Sequence, residues 1–205
     1  MGTPVTLKID DNNGGNPTVS LNVNFRANFS AFFVNSVGLA GAQTFVYGVS
    51  GSFSFVDPST GAALLTGTLG ANQPASLTIL GSTTAWGTSG SIFSSDTAYN
   101  FAGSVVWTST PGLAAAISAA SQNPLNYGVP LAGGTSGTPD DFSFTLTNLN
   151  SGGGAVPINS TSRLPTTAWA SEGSFSGSAL NGIPTPGALS LIGVAGLLVL
   201  GRRRR

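Results

Sequence analysis

Seven carboxylates, three tryptophans and three tyrosines are the main chemical repertoire of this 205-residue chain, which contains neither histidine nor cysteine. Ser-His-Asp and Cys-His nucleophilic arrangements are therefore impossible, as are imidazole and thiolate metal sites. Two carboxylates alone suffice for glycoside hydrolysis. Asp57, Asp96, Asp140, Asp141 and Glu172, however, all fall near predicted turns or strand ends, where an acid is more simply a solvated turn or capping residue. No catalytic residue is assigned, and the chain is expected not to be an enzyme. Asp10-Asp11-Asn12-Asn13 and Asp140-Asp141 offer the oxygen ligands that calcium takes, but neither has EF-hand spacing, so Asx turns are the expectation and no cofactor is assigned. Trp86, Trp107 and Trp169, with Tyr47, Tyr99 and Tyr127, have the flat faces on which sugar rings stack. The alternative for each is a place in the core, the usual fate of an aromatic residue in a strand.

The elements that must position these residues read as β. Val5, Leu7 and Ile9 alternate with Thr6, Lys8 and Asp10; from Val19 to Phe33 apolar and polar residues alternate over fifteen positions. Period two marks strands with one buried and one wet face, and a run that long is expected to bend or bulge. Residues 11–17, Asp-Asn-Asn-Gly-Gly-Asn-Pro, supply turn chemistry, so these two strands should form a hairpin. Further strands are predicted over 43–49, 51–56, 62–69, 75–80, 84–93, 99–108, 142–149 and 166–178, with a tight turn at 57–61. One helix is predicted over 111–121, with Thr110 as N-cap and Pro111 at its first position, packed over one open edge or a barrel end. Many short strands with Gly-rich connections predict an antiparallel β-sandwich or jelly roll.

Charged residues make up 7% of the chain against about 25% in ordinary globular proteins, and 29 glycines are present. Low charge with ample apolar residues argues against disorder. The net charge of zero conceals an asymmetry: outside the last four residues three cations (Lys8, Arg26, Arg163) face seven acids, a net charge of −4. Nucleic acid is accordingly not an expected partner, since its phosphates would be repelled.

The missing cations sit at the end. Residues 187–201 carry no charge, and Arg202, Arg203, Arg204 and Arg205 follow at once. As a helix, fifteen residues reach about 22 Å, short of the roughly 30 Å hydrocarbon core. Four arginines offset that shortfall by snorkelling into the headgroup region, and by the positive-inside rule they place the C-terminus in the cytoplasm. Pro184 and Pro186 forbid a helix through 184–186, leaving an extended, accessible segment just outside the membrane, of the kind a protease or sortase recognises.

Pro184-Thr185-Pro186, the glycine-punctuated apolar stretch from Gly187 to Gly201 and the terminal Arg202–Arg205 together resemble the PEP-CTERM sorting signal of Gram-negative bacteria. The resemblance covers about a tenth of the chain, and Thr185 stands where the family's motif has glutamate. It implies recognition by an exosortase, a membrane enzyme that processes its substrates near the proline motif, in bacteria that make extracellular polysaccharide. Two regions follow: an exported β-domain over 1–180, and a sorting signal over 181–205 with a single transmembrane helix. The expected fate is a membrane-anchored precursor, then the cell surface or a biofilm matrix, with extracellular polysaccharide as the alternative ligand of a carbohydrate-binding module or adhesin. Export also calls for a leader with a charged start and an apolar stretch. MGTPVTLKID reads as a strand instead, so such a leader is expected upstream of it.

Overall fold

The computed structural model describes residues 2–10, 15–39, 41–70, 74–93, 105–127 and 142–177. It contains ten strands and one short helix: β1 (Thr3–Ile9), β2 (Val19–Leu39), β3 (Ala42–Val56), β4 (Ala63–Leu69), β5 (Ala75–Gly81), β6 (Ala85–Phe93), β7 (Val105–Ser109), α1 (Pro111–Ala119), β8 (Phe142–Asn150), β9 (Val156–Pro157) and β10 (Ala170–Gly177). A single 3-10 turn spans Pro124–Tyr127. The predicted transmembrane helix, Pro184 to Gly187 and Arg202 to Arg205 lie outside the described residues. Among those that are described, no helix is long and apolar enough to cross a membrane.

All strands pair antiparallel in the order β1-β2-β3-β5-β6-β8-β10, with β4 and β7 branching from β3 and β9 from β6. The hairpin expected at the start forms, with Ile9 opposite Val19 and Thr3 opposite Phe25. The long second strand is bulged as its length predicted: the register slips between Phe33 and Asn35.

The two strands predicted over 43–49 and 51–56 are one continuous strand, β3, and the predicted break is where it changes neighbour. Gln43–Val49 pair with β5, whereas Gly51–Val56 pair with β4. Gly51 marks the fork with φ +138, a conformation that side chains rarely adopt, and a Cβ there would overlap the carbonyl oxygen of Asn28.

The sheet curls so that its far end lies back over its start. Phe25 of β2 stacks on Phe144 of β8 (centroids 5.8 Å) and on Phe175 of β10 (6.0 Å), and Phe55 of β3 meets Phe175 at 4.7 Å. Odd-numbered residues of β3 line the interior: Phe45, Tyr47, Val49, Phe53 and Phe55 are all at most 1% exposed. Glycines in facing strands make room for their rings. Phe53 lies over its register partner Gly67, with Trp107 on the next strand meeting it edge-on at 5.3 Å. Phe32 covers its partner Gly48 on the other face in the same manner.

Helix α1 packs against β4 and buries Leu113 and Ile117 completely. Thr110 stands at the N-cap position, as predicted, but makes no side-chain cap bond. Its hydroxyl donates to the carbonyl oxygen of Ala63 at 2.9 Å and so ties the helix to β4. Tyr127, in the turn that follows, donates to the Pro17 carbonyl at 2.7 Å, just before β2.

Candidate functional site

At the opposite end from α1, four elements converge on an aromatic column. Tyr47 comes from β3 and Trp86 from β6; Arg163 lies in the loop after β9, and Trp169 stands one residue before β10. Trp86 pairs in register with Val156, so the two-residue strand β9 brings the 158–165 loop against β6. That loop is organised by Asn159, whose Oδ1 accepts from the amides of Thr161 and Ser162 at 2.8 and 2.9 Å. A backbone bond from the Arg163 amide to the Asn159 carbonyl closes it and holds Arg163 in the left-handed region at φ +58.

A directional chain of hydrogen bonds results. Trp86 Nε1–H donates to Tyr47 Oη at 2.7 Å, and Tyr47 Oη–H donates to the Arg163 carbonyl at 2.6 Å. The Arg163 guanidinium reaches past it to the Thr83 carbonyl at 2.9 Å. Both polar tips of the buried aromatic pair are thereby satisfied. Burial pushes the Tyr47 phenol up to about 12 from an ordinary value of 10, against opposing contributions from the Trp86 bond and the Arg163 charge.

Because the folded pKa lies above the unfolded one, the folded state prefers neutral Tyr47; its contribution is fully present below pH 10 and is lost as pH rises towards 12. Urea unfolding between pH 9 and 12 should show a decline in stability that is smaller in Tyr47→Phe than in the parent. Equal slopes in the two proteins would contradict the assignment.

The three tryptophans separate sharply. Trp107 is 6% exposed against Phe53 inside the sheet, and Trp86 is 4% exposed. Neither presents a face to a sugar, which corrects two of the three candidate stacking residues. Trp169 alone is 41% exposed, its ring edge-on to Trp86 at 5.6 Å and 73°. A single rigidly backed indole remains, adjoined by Ser151 Oγ, which bonds to Thr167 Oγ1 and to the Ala168 carbonyl. Tyr47 and Tyr127 are buried, and Tyr99 lies outside the described residues.

Where they are described, the candidate catalytic and calcium-binding acids make local structural bonds. Asp57 accepts from the Ser59 hydroxyl at 2.7 Å and amide at 2.8 Å, and these bonds hold its carboxyl below the usual range. Glu172 accepts from Asn148 Nδ2 at 2.8 Å, and Asp10 from the Thr18 hydroxyl at 3.0 Å. Among the described residues no three acids gather in a way that would hold a metal. Asp11, Asn12, Asn13, Asp96, Asp140 and Asp141 lie outside them.

Arg163 is the member of this site that sequence reasoning missed; Tyr47 is a candidate there for its aromatic face, whereas the structure uses its hydroxyl. Tyr47 reads as one more inward-facing aromatic residue of a strand. Arg163 had a usable signal in being one of only three cations before the terminal cluster. Comparison with protein-family models, with curated proteins and with solved structures finds no match to this chain.

Proposed function

We propose that this is a non-catalytic exported protein of the cell surface or extracellular matrix, held in the membrane as a precursor by residues 187–205 and processed near Pro184–Pro186 by an exosortase-type enzyme. The observation that carries this reading is the order of the tail: Pro184-Thr185-Pro186, then fifteen uncharged residues, then Arg202 to Arg205. The shape of the body is compatible with it. Strand β10 ends at Gly177, and its last inward ring is Phe175, so a cut at 184–186 would remove no residue of the described core. The seven residue steps from Gly177 to Pro184 span at most about 25 Å, which keeps the cleavage point close to the domain.

On this reading the curled sheet is a two-layered sandwich, with Phe25 and Phe55 of one layer meeting Phe144 and Phe175 of the other. A domain of this kind, sparing in charge, suits a structural component of a surface or matrix. Its tail is a single transmembrane helix with the arginines on the cytoplasmic side. Fractionation of source cells tests the anchor. The parent precursor should stay in the membrane pellet after alkaline carbonate washing, whereas a variant with serine at all four positions of Arg202–Arg205 should be released in large part. Retention of both to the same degree would refute the role of the arginines.

One observation favours a second reading. Trp169 is the exposed end of an aromatic column fixed by Tyr47 and Trp86, which suits stacking on a sugar ring of extracellular polysaccharide. Glycan binding that disappears in Trp169→Ala would favour this reading over a purely structural one.

A further inference from the structure

Strand β2 is paired on both sides only at Asn24 and Phe25. Strand β1 covers it from Val19 to Phe25, while β3 runs beside it from Asn24 to Leu39. Among the described residues nothing pairs with the β1-side edge of β2 beyond Phe25. Alternate residues of a strand direct N–H and C=O to each side, so the regular stretch from Arg26 to Phe33 offers about four donors and four acceptors to a further strand. Natural edges are blunted by lysine, proline or bulges. Here residues 27–39 contain no charge and no proline, and the one bulge comes only after Phe33. The same segment exposes Phe32 (53%), Val34 (38%) and Val37 (49%). Val37 and Leu80 (56%) lie in one register row on the outer face with Thr44 between them.

We infer that this edge is a self-association site, at which β2 of a second copy pairs antiparallel about a twofold axis passing through Ser30. The segment is its own complement in that register. On the inner face Ala27 comes opposite Phe33, and Phe29 opposite Ala31, so each ring meets a methyl rather than another ring. On the outer face Asn28 comes opposite Phe32, and Ser30 opposite its own copy. A twofold axis perpendicular to the sheet keeps inner residues with inner and outer with outer, as a continuous sheet requires. The only charge, Arg26, stands eight residues from its copy's Arg26 along the paired strands, roughly 26 Å away, so no like charges oppose. This inference goes beyond the proposed function and does not depend on the tail.

Absence of native cysteine makes the register directly testable. Cross-strand partners hold their Cβ atoms about 5 Å apart, close enough for a disulfide after slight adjustment. Full-length Ser30→Cys in mild detergent under gentle oxidation should give at least tenfold more disulfide-linked dimer than Ser20→Cys, an exposed site on the part of β2 that β1 covers. Ser30→Lys should weaken the dimer at least tenfold by sedimentation, and mixing it with Ser30→Glu should restore a heterodimer. That mixture separates a lost interface from a lost fold, and association through the apolar tail would be blind to it. Equal cross-linking at Ser30 and Ser20, a monomer at high concentration, or no heterodimer in the charge-swapped mixture would each overturn the inference.

Discussion

Truncating Phe53 to alanine should lower the unfolding free energy by about 4 kcal/mol, the range expected when a fully enclosed ring leaves a void. Phe53 is 1% exposed and contacts Phe25, Phe29, Phe55 and Trp107 at centroid distances between 5.3 and 6.2 Å. Its register partner on the neighbouring strand, Gly67, has no side chain that could swing in to fill the space. Equilibrium urea unfolding reads the loss, and a decrease below 1 kcal/mol would mean that the aromatic cluster is not the centre of the core. A companion change sharpens the point. Gly67→Ala should itself destabilise the parent, since a Cβ there overlaps the Phe53 ring, and it should do so less in a Phe53→Leu background.

Gly51→Ala should cost about 3 kcal/mol through two additive mechanisms. Its φ of +138 belongs to a region that only glycine enters freely, and the new methyl would meet the Asn28 carbonyl, which is backbone and cannot rotate away. Both follow from the fork in β3, where the strand leaves β5 for β4 while keeping β2 on its other side. The same substitution at Gly61, whose Cβ would meet nothing within 4 Å at φ +74, pays only the conformational term and should cost about 1 kcal/mol. Equal losses at the two positions would show that crowding at the fork is not the cause.

Alternation in β1 and β2 was legible because each has one face in the core, so Leu7, Val19 and Val23 announce themselves against Lys8, Ser20 and Asn22. The helix was legible for a similar reason: Pro111 opens it, and alanine with Leu113 and Ile117 sustains it. The role of Thr110 was not, because its choice between its own helix and the carbonyls of Ala63 and Leu64 is a tertiary contact. Strand β9 is two residues long and leaves no periodicity, yet it carries the loop that places Arg163 against Tyr47. Nor could composition rank the tryptophans. Trp86, Trp107 and Trp169 differ only in what covers them, and that depends on Gly67, Tyr47 and the curl of the sheet. Gly48 and Gly67 fall inside predicted strands, but their use as sockets for rings on the neighbouring strand depends on a register that no single segment reveals.

The C-terminal residue of the mature chain is the most direct test of sorting and processing through residues 184–205. Intact-mass analysis of protein recovered from the surface or medium of the source cells should find a chain that ends at or close to Pro184–Pro186, without the arginines. A chain recovered there that still ends at Arg205, or one found dissolved in the cytosol with its basic end intact, would contradict sorting and processing through this tail.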